Sequence, residues 1–80
     1  MRLPRDLTGD QLEGSLKRLG YQPTRQTGSH LRLTTPEHGE HHVTVPRHTP
    51  LRVGTLAAIL ADVAAHFGVS REEVGRRLFG

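Results

Sequence analysis

The sequence has no cysteine and no tryptophan, and its aromatic residues are Tyr21, Phe67 and Phe79. Without cysteine there is no disulfide framework, no thiol nucleophile and no thiolate-bound zinc, so an oxidising compartment is not required. The scarcity of aromatics excludes a base-stacking platform on a sheet, since only Tyr21 lies in a strand-like segment. No two of the nine glycines have the spacing of a GXXG nucleotide clamp. Long apolar runs are missing too. No stretch approaches the ~20 residues that a membrane helix needs, and the opening Met1-Arg2-Leu3-Pro4-Arg5-Asp6 has no apolar signal core, so a cytoplasmic protein without membrane association is expected. Length is the last shortage. A chain of 80 residues buries roughly 60% of its unfolded surface, enough for one sheet-and-helix domain over residues 1–80 but not for a large catalytic cleft.

What the chain does carry is an uneven positive charge. Eleven Lys and Arg stand against eight Asp and Glu, for a net charge of +3. Residues 21–55 hold Arg25, Arg32, Arg47 and Arg52 against only Glu37 and Glu40, together with five of the six histidines. A polyanion suits this central stretch best.

Leu12, Leu16 and Leu19 recur at helical spacing and predict a helix over about 9–19. Thr8 and Gln11 form its capping box, Leu7 and Leu12 its hydrophobic staple, and Gly20 its end. From Tyr21 the period changes to alternation. Tyr21 to Thr27 predicts an edge strand marked by Pro23, Gly28-Ser29 a turn, and His30 to Thr34 and His42 to Val45 two half-buried strands joined through Pro36-Glu37-His38-Gly39. Leu56, Ile59, Leu60, Val63, Ala64 and Phe67 then predict the longest helix, stopped by Gly68. A short last helix follows to about Leu78, with Ser70 as N-cap, Glu73 as capping-box partner, and Val69 and Val74 as staple. The expected class is α+β, in the order α-β-β-β-α-α, with a three-stranded antiparallel sheet covered on one face by helices.

His30 heads a strand just after Gly28 and Ser29, and alternation places it on the open face with Arg32 and Thr34. An acid-base group and a solvated strand histidine are both open readings at that position. His38, His41, His42 and His48 have no metal-ligand spacing, since neighbours on a strand face opposite ways, so neither metal nor any other cofactor is expected. Arg25, Arg32, Arg47 and Arg52 are candidates for gripping phosphate with their forked donors, or else serve as a solubilising face. The run from Leu60 to Leu78 has a helix-turn-helix look. Its second helix opens Arg71-Glu72-Glu73, which would present carboxylates to DNA phosphate, so a capped helix pair covering the sheet is favoured.

Gly20-Tyr21, Arg25-Gln26-Thr27-Gly28-Ser29-His30, Val43-Thr44-Val45-Pro46-Arg47-His48 and Gly54-Thr55-Leu56 with Ile59-Leu60 together resemble, in order and spacing, the HicA (YcfA-like) mRNA interferase toxins. The resemblance covers nearly the whole chain. It implies a fold like that of double-stranded-RNA-binding domains, metal-independent endoribonuclease activity on mRNA, and a HicB antitoxin that covers the active site. The catalytic histidine of that family falls on His30. On this reading Ser29 orients, Arg25, Arg32, Arg47 and Arg52 hold phosphate, and His48 is a second proton carrier. Thr27 stands where the family often has lysine, and Leu33 where an aromatic is common. A binding module without catalysis is the alternative, using the basic sheet face or the C-terminal helix pair.

Overall fold

The structure is a computed structural model, and it describes residues 3–80. Met1 and Arg2, the head of the segment read as lacking a signal core, lie outside the described residues. The elements are α1 (Gly9–Leu16) with a 3-10 turn at Lys17–Leu19, β1 (Gln22–Thr27), β2 (His30–Thr35), β3 (His41–Pro46), α2 (Val53–Phe67) and α3 (Arg71–Phe79). The class is α+β, as the patterning predicts. Thr8 and Gln11 form the reciprocal capping box at the head of α1, the Thr8 hydroxyl accepting from the Gln11 amide at 3.2 Å and the Gln11 carboxamide accepting from the Thr8 amide at 2.9 Å.

The strands form one antiparallel sheet in the order β1-β2-β3. Leu31, Leu33, Val43 and Val45 alternate onto the covered face and meet Leu12, Leu16, Leu56, Leu60 and Val63 in a continuous core. Each such leucine, fully removed from water, contributes roughly 2 kcal/mol. Val74 and Leu78 carry α3 into the same core, so the C-terminal helices cover the sheet as a packed pair. Among the described residues no single helix is long and apolar enough to cross a membrane.

Two details depart from the sequence reading. Glu73 does not complete a capping box. Ser70 accepts from the Glu73 amide, but the Glu73 carboxylate is taken by Arg76 and Arg77, whose charges outcompete a neutral amide donor. Secondly, the first strand begins at Gln22: Tyr21, read as its first residue, is fully buried ahead of it, while all six residues of β1 are exposed. Pro23, together with a register break between Pro23 and Arg25, shields that free edge from pairing with other strands.

Candidate active site at the hairpin end of the sheet

Strand register assembles the site. The β1–β2 hairpin closes over the two residues Gly28 and Ser29, with Thr27 paired to His30. Gly28 takes φ 56 at the first turn position, the left-handed conformation that a primed hairpin turn requires and that glycine adopts without strain. His30 therefore sits at the first position of β2, flanked by Thr27 on β1 and Pro46 on β3. Its side chain is exposed on the open face. There Arg25 pairs with Arg32, and Arg32 in turn with Thr44. Arg25, Thr27, His30, Arg32 and Thr44 line one shallow depression of about 210 Å³. This brings together an imidazole, two guanidinium groups and two hydroxyls, a set able to bind a phosphodiester and move a proton beside it.

A larger hollow of about 500 Å³ lies along the free edge of β3 against α2, among His42, Val43, Gly54, Ala58, Ile59 and Asp62. It contains neither His30 nor an arginine. The smaller depression is the one that joins two guanidinium groups to an imidazole.

The rim of the hairpin end is built by α1 and the segment after β3. Gly9 lies against the backbone of Pro46, so closely that a Cβ there would overlap the Pro46 carbonyl oxygen. The Asp10 amide donates to the Arg47 carbonyl at 3.2 Å, the Arg47 amide donates to the Ser29 carbonyl at 2.7 Å, and the Leu51 amide donates to the Leu7 carbonyl at 2.7 Å. Residues 7–10, 28–30 and 46–51 are thereby locked into one end of the molecule.

The sequence-predicted residues are distributed as follows. Gly28, Ser29 and His30 form the turn and strand head, Ser29 joining the network through its backbone carbonyl. Arg25 and Arg32 stand beside His30 in the depression. Arg47 lies at the same end but is not a free cation, because its Nε donates to Asp10 Oδ1 at 3.0 Å. His48 is well exposed, with Nδ1 at 3.8 Å from Asp10 Oδ2. Arg52 is the exposed residue immediately before α2 and is not among the residues lining the depression. Asp10 went unread because an acidic residue in the first turn of a helix is ordinary dipole chemistry; nothing local in the sequence couples it to Arg47.

The remaining histidines gather at the opposite end. His41 stacks on His66 with ring centroids 4.4 Å apart, and His38 sits edge-on to Phe67. His41 Nδ1 lies 2.7 Å from the Tyr21 hydroxyl and His41 Nε2 lies 3.2 Å from Asp62 Oδ1. Burial, reinforced by the negative charge of Asp62, raises the Tyr21 phenol above its usual range. Among the described residues no three His, Asp or Glu side chains converge as metal ligands.

This fold and this end define a small α+β protein with a cationic, histidine-bearing end to its sheet. The family described as the HicA toxin of bacterial toxin-antitoxin systems matches residues 9–64, and the chain belongs to that family. Its members are known as mRNA-cleaving toxins with a HicB-type antitoxin as partner, so this chain is a toxin component of such a system. The matched span contains Asp10, the hairpin with His30, and the segment from Pro46 to Arg52. No curated protein and no solved structure gives a significant match.

Proposed function

We propose that this chain is an endoribonuclease that cleaves mRNA in the cytoplasm without a metal ion, with His30 as the key acid-base residue. The observation that carries the reading is the placement of an exposed imidazole at the head of β2, in one depression with Arg25 and Arg32. The open face offers guanidinium, hydroxyl and imidazole groups but no Phe, Tyr or Trp platform, so it engages the backbone of RNA and its 2′-hydroxyls more than its bases.

The reaction needs few parts. His30 takes the proton from a ribose 2′-hydroxyl, whose oxygen attacks the adjacent phosphorus. The P–O5′ bond breaks, and a second proton carrier, His48, supplies the departing 5′-oxygen. The products are a 2′,3′-cyclic phosphate and a 5′-hydroxyl. Arg25 and Arg32 bind the phosphate and stabilise the charge that builds on it in the transition state, which their fixed positions on paired strands allow without rearrangement. A HicB-type antitoxin covering this end would block RNA directly.

The test is incubation of the purified chain with end-labelled single-stranded RNA in EDTA, followed by analysis of the fragment ends. Cyclic phosphate termini, produced by wild type and lost in His30→Ala, are the expected result. Fragments ending in 3′-hydroxyl, or cleavage that returns only with a divalent ion, would exclude the mechanism. Binding without fragments would favour a module that only holds nucleic acid.

A further inference from the structure

The residue that links the first helix to the proposed chemistry is Asp10. It meets the segment after β3 in three places. Its backbone amide donates to the Arg47 carbonyl at 3.2 Å, its Oδ1 accepts from Arg47 Nε at 3.0 Å, and its Oδ2 faces His48 Nδ1 at 3.8 Å. Arg47 in turn donates its own amide to the Ser29 carbonyl at 2.7 Å, one residue before His30. The Asp10 side chain is 44% exposed and that of Arg47 30%, so the pair stands at the water-facing rim, where an isolated ion pair adds little stability. The approach of α1 that makes the pair possible depends on Gly9, whose missing Cβ leaves room for the Pro46 carbonyl.

A carboxylate at that position is unfavourable for a protein that merely gathers cations around a polyanion. It repels phosphate and takes up one of the guanidinium's donors. What it supplies is geometry. With Nε held, the Arg47 guanidinium is fixed in orientation and only its two terminal nitrogens remain to meet a ligand. Oδ2, 3.8 Å from Nδ1, places a negative charge beside the exposed His48 ring without a hydrogen bond to it.

Resting on the ribonuclease reading above, we propose that Asp10 is a positioning residue, which gives up some RNA affinity in order to hold the Arg47 guanidinium in place for cleavage beside His30. The charge and the hydrogen bond separate in two variants. Asp10→Ala removes both, whereas Asp10→Asn removes the charge but keeps an oxygen that can accept from Arg47 Nε.

The experiment measures kcat and KM on a short RNA, affinity for the same RNA carrying 2′-O-methyl groups, and Tm, for wild type, Asp10→Ala, Asp10→Asn and each change in an Arg47→Ala background. Loss of orientation in Asp10→Ala should lower kcat by about tenfold. Asp10→Asn should recover most of that loss. Both variants should bind the methylated RNA about two- to fivefold more tightly, as removal of one exposed charge allows. In the Arg47→Ala background the Asp10 changes should lower kcat much less than in wild type, whereas the tighter binding, which follows from the lost charge, should remain. A merely structural Asp10 would lower Tm alike in the two variants and would move kcat and KM together, without recovery by asparagine, and that outcome overturns the proposal. An unchanged kcat in Asp10→Ala overturns it as well. The ribonuclease reading fails separately, through full activity of His30→Ala; should the wild type cleave nothing, unchanged or weaker binding of the methylated RNA by Asp10→Ala would still sink the role given to Asp10.

Discussion

The hydroxyl of Tyr21 lies 2.7 Å from Nδ1 of His41, closing a chain that runs from the apolar core to Asp62 at the surface. A neutral His41 with its proton on Nε2 satisfies every member: the phenol donates to Nδ1, and Nε2 donates to the carboxylate. The phenol is held protonated by burial first and by Asp62 second, both of which raise its pKa in the folded state. Such a group stabilises the fold fully below the ordinary tyrosine pKa of ~10, and its contribution drains away as pH rises beyond that value. Urea unfolding between pH 8 and 11 should therefore show stability falling at the alkaline end. Tyr21→Phe should start about 1 kcal/mol lower at neutral pH, through the missing hydrogen bond, and should be spared the part of the alkaline decline that comes from the phenol.

Replacement of His30 by alanine should reduce RNA cleavage by a factor of about 10² to 10⁴, the range general acid-base groups supply. Because the side chain is exposed and outside the core, the melting temperature should stay within a degree or two of wild type. Initial rates on a labelled RNA, paired with thermal melts, check both halves.

Arg25 and Arg32 face each other across β1 and β2, and each is expected to meet one phosphate. Alanine at either position should weaken RNA binding broadly across sequences. On single-stranded RNA the slope of log affinity against log salt should become shallower by about 0.7 for each phosphate left without its guanidinium. Filter binding at several salt concentrations gives that slope directly.

Gly9→Ala tests how the hairpin end is held together. Its new methyl would overlap the Pro46 carbonyl oxygen, which is backbone and cannot rotate away. A destabilisation of roughly 1–3 kcal/mol is expected, with cleavage falling as α1 moves off Arg47. Denaturant midpoints and activity at low temperature distinguish the two effects. Gly14→Ala is the control, because a Cβ there meets nothing within 4 Å.

Most of the architecture was legible because local rules and global packing agree in this chain. The capping box at Thr8 and Gln11, the alternation of Leu31 and Leu33, and the stop at Gly68 each act over a few residues, where sequence is informative. His30, Arg25 and Arg32 were readable on the same terms, since alternation decides which face a strand residue takes. Asp10 was not. Its partner Arg47 is 37 residues away, and the pairing depends on α1 running back along the end of β3, which no periodicity encodes. Glu73 misled for the opposite reason: the local pattern for a capping box was complete, but Arg76 and Arg77 offered its carboxylate stronger donors one turn along the helix.

The lock between Gly9 and Pro46 has a consequence for the timing of synthesis. The two halves of that lock leave the ribosome at different times, and α2 and α3, which complete the core beneath the sheet, emerge after both. A domain this small folds as one unit rather than piece by piece. The depression around His30 therefore exists only once α1, the sheet and the C-terminal helices have come together, so a chain cut short within α2 should have no ordered hairpin end.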